Sequence, residues 1–170
     1  MNQIDIQYRG TQIGGIILGS FRDKLCLLDF GEQGDRSTSG DRMRQALNAE
    51  LVEQDDEILR GTIRQLNEYL EGRRMEFDIP LLMVGTDFQK SVWKALLKVP
   101  YGATSTYSQM ARDIGKERAV RAVGNAIGAN RIAIIIPCHR IIGSDGGLVG
   151  YGGGLSLKKR LLRLEHRNTA

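Results

Sequence analysis

Residues 105–130 read STYSQMARDIGKERAVRAVGNAIGAN. Tyr107, Met110, Ala111 and Ile114 recur at helical spacing and stop at Gly115. Lys116-Glu117 bridges to a second helix expected over residues 118–129. Two short helices joined by a glycine-containing turn in a basic segment read as a helix-turn-helix. The second of them is thin, with Ala119, Ala122, Gly124, Ala126, Gly128 and Ala129. An interior glycine costs on the order of 1 kcal/mol relative to alanine, so two of them call for a reason. Close packing against a neighbouring element is the preferred one. The other is a slim helix entering a narrow groove with Arg121 as its most prominent side chain, which suits a minor groove better than major-groove readout.

On the N-terminal side, Thr86 or Asp87 caps a helix bearing Phe88, Val92, Trp93, Leu96 and Leu97, and Pro100-Tyr101-Gly102 stops it. On the C-terminal side, the β-branched run 132–136 reads as a strand ending at Pro137. That strand would present Cys138, within Pro137-Cys138-His139-Arg140, at a defined place. A thiol attacks as thiolate, and an adjacent proton-accepting imidazole in a basic segment makes that form accessible.

The half before Val84-Gly85 reads differently, so domains are expected at 1–85 and 86–170. Residues 15–18 and 24–30 form a β-hairpin around 19–23. A polar, irregular stretch follows at 32–41. Leu59, Ile63, Leu66 and Leu70 make a helical core stripe within 56–73, and 75–82, with Pro80, is a strand or extended linker. Cys26 sits in an apolar strand and reads as core.

A chain of 170 residues, 41% of them hydrophobic, buries a real core, and no apolar run approaches the ~20 residues of a membrane helix. The start MNQIDIQYRG lacks a signal-peptide pattern, so a cytoplasmic protein is expected, and Met1 favours a whole one. Two cysteines exclude a disulfide framework, and two histidines, His139 and His166, argue against a zinc cluster. The net charge of +4 is uneven: residues 1–85 hold 10 Lys/Arg and 15 Asp/Glu, net −5, and residues 86–170 hold 14 and 5, net +9. A half this basic suits a polyanion or a solvated surface equally.

Six segments, TDFQKSVWKALLKVPYG, STYSQMA, RAVGNAIGAN, IPCHRII, GGLVGYGGG and LKKRLLRLE, resemble the O6-alkylguanine-DNA alkyltransferases over residues 86–167. The first half is similar in layout and in the hairpin GGIILGSFRDKLCLLDFG. The resemblance implies an α/β RNase-H-like domain with a small antiparallel sheet, then a mainly α winged-helix-like domain with the helix-turn-helix. It implies direct-reversal repair of duplex DNA containing alkylated bases, with O6-alkylguanine (and in some members O4-alkylthymine) flipped from the stack and its alkyl group moved irreversibly to Cys138. A monomer acting once, with no cofactor and no membrane partner, follows from the same resemblance, in the cytoplasm, at the nucleoid if bacterial or in the nucleus if eukaryotic.

By the same resemblance His139 is the base, through a bridging water, Glu165 orients it, and Asn130 shapes the cysteine loop. Arg121 replaces the extruded nucleotide in the stack, and Tyr107 crowds its phosphate and assists charge on the leaving base. Ala122, Gly124, Asn125 and Arg140 complete the expected DNA surface. The Ile141 carbonyl, Tyr151, Gly152 and Gly153 surround the base, with Gly150 and Gly154 loosening the same loop. Gly152 replaces a serine or larger residue of many members, which favours a more mobile loop and bulkier alkyl groups. Lys158 stands at a matched lysine, for phosphate contact or helix stabilisation. Some members hold zinc in the first domain, but with Cys26 alone and no histidine before His139 this chain cannot copy that site.

Three other classes compete. A non-catalytic alkyltransferase-like sensor would lack the acceptor cysteine. A transcription regulator would dimerise and read the major groove, which the small-residue helix disfavours. A Cys/His hydrolase would take its two residues from separate elements and add an oxyanion hole, which nothing here announces.

Overall fold

The computed structural model describes residues 2–31 and 38–169, and the chain forms two compact units, 1–84 and 85–170. In the first unit β1 (Asn2–Thr11), β2 (Gly14–Phe21) and β3 (Lys24–Phe30) form an antiparallel meander. Arg22 and Asp23, both with positive φ (50° and 62°), make the two-residue turn between β2 and β3, the geometry that matches strand twist. Helix α1 (Thr38–Ala46) leads to β4 (Ala49–Glu53), which pairs parallel with β1, giving the order β3-β2-β1-β4. The sheet is therefore mixed rather than antiparallel as expected, because β4 arrives through a helix and not a hairpin. Of the stretch 32–41 read as irregular, 32–37 lies outside the described residues and the remainder is the start of α1.

Sheet burial follows the strand period. Ile17 joins Ile4, Ile6, Leu27 and Met43 in one cluster, while its neighbours Ile16 and Leu18, also buried, face the other way. Helix α2 (Glu57–Leu70) covers β1 to β3, with Leu59, Leu66, Tyr69 and Leu70 buried and Asp56 as a cap accepting from Leu59 N–H. Of residues 75–82, 75 and 76 are bends, and around Pro80 the chain runs beside β3: Leu81 bridges Leu25, and Pro80 and Leu82 exchange backbone hydrogen bonds with Leu25 at 2.8 Å each. Cys26 is buried in β3, and burial pushes its thiol up to about 12.

The second unit opens on α3 (Asp87–Leu96), capped by Thr86 with Gln89 reciprocating. Its Trp93 donates from Nε1 to the Ala126 carbonyl at 2.8 Å and so locks α3 onto α5 (Val120–Gly128). Helix α4 (Tyr107–Asp113), capped by Thr106, packs against both, and β5 (Ser105–Thr106) pairs parallel with β6 (Ile141–Ile142). Helix α5 begins at Val120, two residues later than expected.

The run 132–136 is not a strand. It is a fully buried turn in which Ile134 takes φ 70° and the Ile136 N–H donates to the Ile132 carbonyl at 3.1 Å. β-Branched apolar residues specify burial, and the backbone here is paired from elsewhere. Asn130 supplies the pairing, donating from Nδ2 to the Ile136 carbonyl at 2.9 Å and accepting from Ile132 N–H at 3.0 Å.

The last element, α6 (Leu155–Thr169), abuts the turn after α3 at Gly102, whose φ is 81° and where a Cβ would lie 2.6 Å from Thr169. Gly102→Ala is expected to destabilise the unit by about 1–3 kcal/mol through left-handed strain and this clash. Denaturant unfolding followed by the single tryptophan, Trp93, checks it, since that side chain is buried in the same unit.

Candidate active site

Cys138 opens a single 3₁₀ turn, Cys138–Arg140, rather than following an extended strand, and it is half-buried. His139 is completely buried. Its Nε2 lies 2.7 Å from Glu165 Oε2 on α6. The same carboxylate accepts from Arg140 Nε at 2.8 Å and Nη2 at 3.0 Å, and from Gly102 N–H at 3.4 Å. Burial alone would raise the Glu165 carboxyl, but the hydrogen bonds and charges of His139 and Arg140 hold it down to about 2. Burial lowers the His139 imidazole below 6.5, outweighing the upward pull of Glu165, with Arg140 and Lys158 adding to the lowering.

These two directions settle the tautomer. An ionised carboxylate only accepts, so Nε2 carries the ring proton and Nδ1 the lone pair. Nδ1 is buried and has no hydrogen-bond partner among the described residues. It is therefore placed to take a proton from a group beside the ring. The Tyr151 ring stands edge-on to the imidazole, centroids 6.4 Å apart.

Lys158 is buried without exposed surface, and its Nζ donates to the Ile141 carbonyl at 2.5 Å and to the Val149 carbonyl at 2.6 Å. A phosphate contact does not fit so buried an ammonium, which instead ties β6 to the start of the glycine loop. Burial lowers its ammonium pKa. Beyond that tether, Gly152 and Gly153 continue the loop, and a Cβ at Gly152 would meet nothing within 4 Å. Tyr107, first residue of α4, is half-buried, and burial together with the Cys138 charge raises its phenol.

On α5, Arg121, Ala122, Asn125 and Gly128 are exposed, while Val123, Ala126 and Ile127 are buried. A Cβ at Gly124 would meet the Tyr107 ring at an ordinary 3.7 Å, and one at Gly128 would meet nothing. Close packing, the preferred explanation on sequence, does not account for these glycines. The thinness is on the outward side.

Arg140 is a further correction. Expected on the DNA surface, it is buried, with Nη1 donating to the Val99 carbonyl at 2.8 Å and the rest of the guanidinium on Glu165. Its signal in sequence was Glu165, the only acid among residues 146–170, which is shared between the two basic neighbours of Cys138. Among the described residues no group of three or more His, Cys, Asp or Glu could hold a metal, and no helix is long and apolar enough to cross a membrane.

Both units are similar to those of known proteins. Residues 7–83 match the 6-O-methylguanine DNA methyltransferase ribonuclease-like domain and residues 87–167 the DNA binding domain of the same name. A methylated-DNA–protein-cysteine methyltransferase of Methanosarcina barkeri is 48% identical over 158 residues, 93% of this chain and 94% of its own length. A relative of that name from Mycobacterium tuberculosis is 56% identical over 105 residues, 62% of this chain and 64% of its own. The crystal structure of M. tuberculosis OGT in complex with DNA matches at 40% identity and TM-score 0.80, covering 98% of this chain and 94% of that one.

The buried charges have a pH signature. Folded His139 refuses a proton that the unfolded chain takes below 6.5, and folded Glu165 stays ionised below the 4.5 at which the unfolded carboxylate protonates. Stability is expected to fall on acidification from about pH 6.5 and more steeply below 4.5. Unfolding free energies measured across pH 8 to 4 by Trp93 fluorescence test this, and a flat profile down to pH 5 would show that the folded imidazole takes its proton as readily as the unfolded one. Glu165→Gln, which strands Arg140 in the interior, should cost about 3–5 kcal/mol.

Proposed function

From the premise that this chain belongs to the 6-O-methylguanine DNA methyltransferase family, in both of its domains, we propose that it repairs alkylated duplex DNA by direct reversal. The alkyl group passes from O6 of a guanine to the sulfur of Cys138. The observation that carries this reading is the half-buried thiol preceding a sealed imidazole, its Nε2–H committed to Glu165 and its Nδ1 open as an acceptor.

The thiol proton moves to His139 Nδ1, by way of a water, and the thiolate attacks the alkyl carbon. The carbon–sulfur bond forms as the carbon–O6 bond breaks, leaving charge on the guanine. Tyr107 stays protonated, because its pKa is raised, and donates a hydrogen bond to the leaving base. Glu165 never takes the proton; it holds the imidazole and balances its charge. A thioether has no hydrolytic exit, so each molecule acts once.

The target base must leave the stack, which costs a few kcal/mol. Arg121, on the exposed side of α5, fills the gap, while Ala122, Asn125 and Gly128 let the helix lie close to the minor groove. The Ile141 carbonyl, Tyr151, Gly152 and Gly153 receive the flipped base. Lys158 fixes the spacing between Ile141 and that loop, and Asn130 fixes the turn before Cys138. The protein acts as a monomer in the cytoplasm or wherever the DNA is held. A damage sensor without transfer is not favoured, since the relatives are named for transfer to cysteine.

Intact-protein mass spectrometry after mixing with O6-methylguanine duplex should show one methyl per chain, mapped to Cys138 and saturating at one equivalent. Cys138→Ala should bind the duplex and gain no mass, and residual methylation would overturn the acceptor assignment. Arg121→Ala should slow reaction with duplex by about tenfold or more while sparing reaction with free O6-methylguanine. Equal losses on both would remove Arg121 from the stack.

A further inference from the structure

The outward side of α6 is not used by the reaction. Lys158, Leu161 and Glu165 turn inward and are buried, which leaves Lys159, Arg160, Arg163 and Arg167 exposed. Lys159 with Arg163, and Arg163 with Arg167, are like charges at i,i+4 and repel. The macrodipole rewards cations only in the last turn, so Lys159 and Arg160 gain nothing from it. The one acid of residues 146–170 is Glu165, already committed inside. Lys159, Arg163 and Arg167 therefore repel one another along this face, a cost that an anionic partner would relieve.

Shape narrows the partner. These cations rim a groove of about 980 Å³ that also takes in Leu148 and Leu162, both half-buried, so that apolar surface dominates its lining. A phosphodiester backbone gains nothing from an apolar floor, whereas an apolar side chain flanked by carboxylates meets both parts. From Ser156 to Arg167 the groove follows 12 residues of helix, about 16 Å from first to last, the reach of roughly five extended residues. We propose that α6 and Leu148 form a docking groove for an acidic peptide segment with apolar side chains, presented by another protein. The proposal does not rest on the repair reading, since the groove shares no side chain with the Cys138 site.

The test uses the full chain and a fluorescein-labelled peptide, Asp-Glu-Phe-Asp-Leu-Glu, in an anisotropy titration at physiological salt. Saturable binding is expected. It should weaken by about tenfold or more in Lys159→Glu/Arg163→Glu, and equally when Phe and Leu of the peptide become Ser. Methyl transfer to Cys138 should be unchanged in the double variant, which also establishes its folding. Absence of saturable binding, or equal affinity for the serine peptide, overturns the proposal. So does a double variant that loses duplex affinity but keeps the peptide, which would make the face a phosphate surface. A double variant that instead abolishes self-association in sedimentation, leaving the peptide affinity intact, would assign the face to a second copy.

Discussion

One buried carboxylate organises the second unit. Glu165 is shielded from water yet ionised, and three segments far apart in the chain converge on it: the turn at Gly102, the Cys138–Arg140 turn, and α6 itself. Burying an ion is costly unless its hydrogen bonds are filled, and here His139, Arg140 and the Gly102 amide fill them. The tautomer of His139 follows from that ionisation. The inward set of Arg140 and the left-handed turn at Gly102 are the geometric conditions for it. Reactivity and folding thus rest on the same few contacts.

Elements whose ends carry a chemical mark were readable. Thr86, one of the two caps read at the start of α3, is the residue that caps it, and the Leu59 to Leu70 stripe states which side of α2 is buried. Elements specified by pairing were not. The short β4 has no turn signal of its own and exists because β1 offers an edge. The isoleucine run shows the same limit more sharply: its composition demands burial, but whether the backbone is extended depends on Asn130.

Within the site, the residue types were legible and their directions were not. Cys138, His139 and Glu165 stand out by chemistry and scarcity, and the structure joins His139 to Glu165. Arg140 and Lys158 look like surface cations in any one-dimensional reading. Both are interior, because each finds acceptors that a sequence does not display: the Val99 carbonyl for Arg140, and those of Ile141 and Val149 for Lys158. The glycines of α5 were ambiguous for the opposite reason, since only the empty space beside Gly128 separates packing from exposure.

Asn130 has a consequence of its own. In a sheet, the pairing that holds a buried backbone is spread over many rungs, and losing one is a small perturbation. Around residues 131–137 one primary amide supplies both the donor and the acceptor of a missing rung. An aspartate could accept but not donate, and an alanine would leave the Ile132 N–H unpaired and the Ile136 carbonyl with the Cys138 N–H alone. The turn ahead of Cys138 therefore leans on a single side chain where its own hydrogen bonds do not reach. The position of the sulfur inherits that dependence.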